Sequence, residues 1–168
     1  DYWGIRDGAG DGGADFDANE TTNATGYEGF TGITDIHLTG EDLDGEGGSV
    51  TRSLLSAGID FSSNTTGPLE SSFDDGGGAP SIEPEDFLLV EYQIDGGGYQ
   101  TLLAFRASGA FSSWSLDADN NGQGDGIVVL GEAMQNITAD IVGSGSTLDL
   151  RLTVHLDGSG EEFAVDNV

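Results

Sequence analysis

The 168-residue chain sets 31 acidic residues against four basic ones, a formal charge of −27, and has no cysteine. That balance makes nucleic acid and anionic membrane surfaces poor partners. The missing thiols exclude disulfides, zinc–thiolate sites and thiol catalysis. The length suits a single domain, 1–168, with a core of its own, while 29 glycines and a hydrophobic share of 36% predict much turn and loop.

No apolar run approaches membrane-spanning length, so membrane insertion is not expected. No signal peptide is visible, and a start at Asp1 rather than Met is expected of a processed or excised product. In chain order, Tyr2–Ile5, Ala14–Asp17, Tyr27–Phe30 and Asp35–Thr39 are apolar stretches too short for helices, and they read as strands or packed loops. Glu41–Gly48 is an acidic loop. Val50–Phe61 is the next ordered stretch, with Leu54, Leu55, Ile59 and Phe61 as its apolar residues. Residues 62–84, with Asp74-Asp75-Gly76-Gly77-Gly78 and prolines, are expected to form a loop-rich insertion or mobile region.

The second half is more regular. Phe87–Ile94 and Tyr99–Phe105 flank Asp95-Gly96-Gly97-Gly98 and predict a β-hairpin. Trp114 lies in a short segment, Asp117–Gly126 is a loop, and Ile127–Leu130 begins a strand or turn. Asn136–Val142 alternates apolar Ile137, Ala139 and Ile141 with polar neighbours. Leu148, Leu150, Leu152, Val154 and Leu156 alternate with Asp149, Arg151, Thr153 and His155, the pattern of a half-buried strand. Phe163–Val168 closes the chain as a strand, and only Glu132–Gln135 suits even one helical turn. The expected fold is all-β: an antiparallel β-sandwich of jelly-roll type with long acidic Gly/Asp loops.

So much negative charge repels itself in a compact state. Either divalent cations held by carboxylates or concentrated salt must offset it. All four bases are arginine, and the lack of lysine leans towards salt adaptation. Calcium is the expected cofactor, and an extracellular, secreted or cell-surface location is the expected setting.

One segment has calcium-loop spacing. In Asp117-Ala118-Asp119-Asn120-Asn121-Gly122-Gln123-Gly124-Asp125, oxygen-bearing side chains fall at positions 1, 3, 5 and 9, with glycine at the bend. Gln123 would offer its backbone carbonyl. The segment resembles the calcium loops of EF-hands, dockerins and thrombospondin type 3 repeats. It departs from them at Val128, where those loops carry a bidentate acid, so Glu132 or a carboxylate from another loop must complete a cage. The same residues also suit a solvated turn.

The closing Phe163-Ala164-Val165-Asp166-Asn167-Val168 resembles the last strand of secreted jelly-roll modules such as MAM-type and reelin-type repeats. That resemblance implies that Asp166 helps hold a structural calcium beside an early strand. Asp15, Asp17, Glu41, Asp42 and Asp44 are its candidate partners. The Phe87–Phe105 hairpin is similar to hairpins of secreted bacterial β-sandwich modules.

Four Asn-x-Ser/Thr sequons, at Asn19, Asn23, Asn64 and Asn136, are candidate glycosylation sites. No Gly-x-Ser-x-Gly elbow, His-Glu-x-x-His pair or phosphate loop appears, and His37 and His155 sit in strand patterns where a structural role is expected. A non-catalytic calcium-binding module is therefore expected. It would act as a structural or adhesive building block, with other subunits or surface glycans as partners. A lectin-like module using Trp3, Trp114, Tyr2, Tyr27, Tyr92 or Tyr99 as a sugar platform is the alternative, and a glycan-active hydrolase a remote one. Core packing is the expected fate of Trp114 and Tyr92.

Overall fold

The structure is a computed structural model that describes residues 2–7, 36–41, 43, 51–61, 66–74, 82–131, 133, 135–158 and 161–166. The described residues are all-β and contain no helix. Ten strands follow one another: β1 (Tyr2–Asp7), β2 (Ile36–Glu41), β3 (Thr51–Asp60), β4 (Thr66–Asp74), β5 (Phe87–Ile94), β6 (Gln100–Ala107), β7 (Trp114–Leu116), β8 (Gln135–Val142), β9 (Thr147–His155) and β10 (Glu162–Asp166). They form two five-stranded sheets, ordered β1-β2-β10-β4-β8 and β3-β9-β5-β6-β7. Every pairing is antiparallel.

The register follows the apolar alternation. Along β9, Leu148, Leu150, Leu152 and Val154 are buried while their neighbours are partly exposed. Along β5, Leu88, Val90 and Tyr92 repeat the pattern, and β9 pairs with it from Phe87↔His155 to Ile94↔Leu148. A one-residue slip would turn both apolar rows outward, so burial specifies this register. The hairpin between β5 and β6 is closed by Asp95, Gly96 and Gly98, all at positive φ.

The main apolar cluster draws on both sheets: Leu38, Phe163 and Val165 from one, and Leu88, Phe105, Trp114, Leu152 and Val154 from the other. Trp114, Phe105 and Phe163 are fully buried, each contributing roughly 2–3 kcal/mol by removal from water. A smaller cluster joins Phe61, Tyr92, Ile141, Leu148 and Leu150. There the Tyr92 hydroxyl donates to the Val142 carbonyl at 3.0 Å, linking β5 to β8 of the other sheet.

One expectation needs correction. The stretch 62–84 is not simply loop, because β4 runs through it and lies between β10 and β8. Pro68 and the polar Glu70-Ser71-Ser72 hide it from a pattern search. Pro68 is tolerated because β10 pairs only with residues 72–74, leaving Pro68 one neighbouring strand, β8, in an edge-like position. Leu54, Leu55 and Ile59 are exposed on β3, the outer strand of its sheet, and of that stretch's apolar set Phe61 is the buried member. Ile127–Leu130 forms no strand, only an isolated bridge between Val129 and Ser115.

Candidate metal centre

The Asp117–Asp125 loop leaves the short strand β7, and its two ends are tied to the sheet. The Asp117 amide donates to the Ala104 carbonyl, the Gly124 amide to Ala107 and the Asp125 amide to Leu116. Gly124 is required here, because a Cβ would lie 2.5 Å from both the Arg106 carbonyl and Ser115 Oγ. Within the loop the sequence-predicted oxygens turn inward onto the backbone. Asp117 Oδ1 accepts the Asn121 amide and Oδ2 the Gly122 amide, each at 2.9 Å. Asp119 Oδ1 accepts the Asn121 amide at 3.2 Å, and its Oδ2 takes the Asn121 side-chain amide at 3.1 Å. Asn121 Oδ1 accepts the Gln123 amide, and Asp125 Oδ2 the Ala118 amide. The bend falls at Gly122, φ 93°, as the spacing required.

Asp117 is 2% exposed, and Arg106 Nε stands 3.5 Å from its Oδ2. The loop thus satisfies its own carboxylates, although each oxygen that accepts one N–H keeps a further lone pair. The Gln123 side chain donates outward, to the Ser108 carbonyl at 2.9 Å.

The other predicted residues scatter. Asp166 closes β10 opposite Ser72. Glu41 pairs with Glu162 and Leu38 with Val165, so Asp166 and Glu41 lie at opposite ends of the β2–β10 pair. Asp15, Asp17, Asp42, Asp44 and Glu132 lie outside the described residues, as do Asn19, Asn23 and Asn64. Asn136 is exposed on β8. His155 has a structural setting: its Nδ1 lies 2.9 Å from Thr51 Oγ1, and its ring stacks on Phe87 at 5.3 Å.

A different acidic group is assembled by the fold. Glu83–Asp86 is the turn that leads into β5, and Asp157–Glu161 is the connection from β9 to β10. Because Phe87 of β5 pairs with His155 of β9, the two turns meet at one end of the sheet. Each turn is closed by its own acid. Asp86 Oδ2 accepts the Glu83 amide at 2.6 Å, while Glu161 Oε2 accepts the Asp157 and Gly158 amides at 2.9 and 2.6 Å. Glycine at 158 makes room for that carboxylate, since a Cβ would come within 2.7 Å of Glu161 Oε1.

Asp86 is 0% and Glu161 2% exposed. Burial pushes the Asp86 carboxyl up to about 8, against the lowering effect of the Glu83 amide, and the charge of Glu161, the hydrogen bond between the two carboxyls and the charge of Asp157 raise it further. Burial likewise raises Glu161. Glu83, Asp157 and Glu161 each bring one carboxylate oxygen within 4.8 Å of the other two, which could hold a metal ion, and among the described residues they are the one such group of three. Sequence reasoning missed this group because its halves are about seventy residues apart and neither half has ligand spacing. The available signal was acids set directly against core residues: Ile82 precedes Glu83 in the first turn and Leu156 precedes Asp157 in the second.

The chain matches no protein-family model and no curated protein.

Proposed function

We propose that the chain is a non-catalytic calcium-binding module of jelly-roll type, working outside the cell as a structural or adhesive building block of a surface or matrix assembly. The observation that carries the reading is the burial of Asp86, Asp117 and Glu161 in a chain with four arginines. Buried carboxylates have to be paired, neutralised by a proton or coordinated by metal. Among the described residues, Asp117 alone of the three has an arginine within 4.0 Å. Oxygen-only donors favour a hard cation, and calcium accepts many carboxylate and carbonyl oxygens in irregular geometry.

Strand pairing supports the jelly-roll form. β2 pairs with β10, β3 with β9, β4 with β8 and β5 with β6. That is one long antiparallel ribbon whose successive segments alternate between the two sheets, as a jelly roll requires. A sandwich wound this way carries load through its ladders and places its turns at the two ends, where cations can stiffen them. The lectin-like alternative loses two of its rings, since Trp114 and Tyr92 are packed in the core.

The test is thermal unfolding in low salt, with and without calcium after chelation. At a hundredfold excess over Kd, one bound ion adds about 2.7 kcal/mol, which raises Tm by about 5–10 °C in a chain of this size. A Tm that ignores both calcium and EDTA defeats the reading.

A further inference from the structure

We propose that Arg151, Glu91, Gln93 and Tyr99, on the outer face of the β3-β9-β5-β6-β7 sheet, form a binding site for an uncharged glycan, recognised through its vicinal hydroxyls. The inference goes beyond the calcium reading and uses none of the acids on which that reading rests.

Strand register assembles the site. Arg151 of β9 pairs with Glu91 of β5, and Asp149 of β9 with Gln93 of β5. These residues alternate with the buried Leu150 and Leu152 of β9 and Val90 and Tyr92 of β5, so they stand on the face turned away from the core. Tyr92 pairs with Gln100, which sets Tyr99, the residue before β6, beside Gln93. Leu55, 56% exposed, pairs with Arg151 from the other side and continues the face to the sheet edge.

The guanidinium is held without being used up. Arg151 Nε donates to Glu91 Oε2 at 2.7 Å, and Arg151 Cζ lies 3.9 Å from the centre of the Tyr99 ring. Those two contacts fix in advance a side chain that otherwise loses rotamer freedom when it binds. Among the described residues, no hydrogen bond uses Arg151 Nη1, Nη2 or Glu91 Oε1. The Arg151 side chain is 36% exposed, so its open donors reach solvent. Gln93 is fixed in the same way: its Nε2 donates to Asp149 Oδ2 at 2.7 Å, and its own oxygen stays open as an acceptor.

The face thus offers fixed donors with acceptors next to them, beside a ring. A sugar diol is the matching chemistry, because each hydroxyl both donates and accepts. The C–H face of a sugar ring packs on Tyr99 and Leu55. An anion fits less well, since Glu91 already neutralises Arg151 and a chain of charge −27 repels polyanions. Of Trp114, Tyr92 and Tyr99, Tyr99 is the ring that the fold leaves outside the core.

The experiment is native affinity electrophoresis of the whole chain, in calcium, through gels containing laminarin, xylan, galactomannan or alginate. It compares the wild type with Arg151→Lys, Tyr99→Ala and Asp119→Asn, each checked for folding by circular dichroism. Arg151→Lys keeps the charge and a donor for Glu91 but removes the guanidinium fork. Expected is retardation of the wild type by at least one of the three neutral polysaccharides. Arg151→Lys and Tyr99→Ala should each weaken that binding by about tenfold or more. Asp119 lies in the Asp117–Asp125 loop, and its variant should match the wild type. A wild type that no neutral polysaccharide retards overturns the inference. So does wild-type affinity in either Arg151→Lys or Tyr99→Ala, which places binding elsewhere. Retardation by alginate at least as strong as by the neutral polymers overturns it too, because the site then reads charge. Equal weakening by Asp119→Asn has the same consequence, since the effect is then not local to this face.

Discussion

The Asp117–Asp125 loop and the Glu83/Asp86/Asp157/Glu161 group are both acidic and both partly buried, yet they solve the problem of buried charge differently. The loop closes on itself: every carboxylate in it accepts at least one N–H from within the loop, and Arg106 stands beside Asp117. The paired turns run short of backbone donors. Asp86 and Glu161 take the amides that their own turns supply, and the two carboxyls are also hydrogen-bonded to each other, the raised Asp86 supplying the proton. A backbone can solvate a carboxylate it wraps around, whereas two carboxyls that meet from separate turns are left to share a proton.

Four substitutions sharpen or break that contrast. Glu161→Ala should have the largest effect, about 3 kcal/mol of destabilisation in denaturant melts, because it strands the Asp157 and Gly158 amides. A loss below about 1 kcal/mol would mean that water replaces the carboxylate without cost. Gly158→Ala should cost about 2 kcal/mol by pressing on Glu161, measured in the same denaturant melts.

Asp86→Asn tests the sign of the electrostatics. The folded-state pKa of Asp86 is raised, from 3.8 to about 8. Its contribution to stability is therefore fully present below about pH 4 and is lost as pH rises through 8. Asparagine mimics the neutral acid and can donate to Glu161. In EDTA at pH 8 the variant should melt above the wild type, and the two should converge near pH 4. A variant that melts lower at pH 8 in EDTA would show that the buried charge is already compensated. Asp119→Asn should have the smallest effect, under about 0.5 kcal/mol without calcium, since the exposed amide can still accept the Asn121 N–H. A large loss there would erase the distinction between the two regions.

Much of the fold was legible in the sequence. β5, β8 and β9 follow from apolar alternation, and the β5–β6 turn follows from Asp95-Gly96-Gly97-Gly98, because period and turn chemistry are local. β4 was illegible because Pro68 and a polar centre gave it no period, and its strand state comes from its pairing with β8 and β10. The loop at Asp117 was legible as a tight acidic turn with calcium-loop spacing because all its oxygens fall within nine residues. The proposed partnership of Asp166 with Glu41 was not realised, since strand register sets the two at opposite ends of β2 and β10.

By itself the sequence determined an acidic, cysteine-free, all-β chain with too few bases to neutralise its own carboxylates. Tertiary structure alone decided which acids would meet. Pairing Phe87 with His155 carries Asp86 to Glu161 across about seventy-five residues of chain, and no local pattern encodes a contact that exists only after two distant strands have found their register.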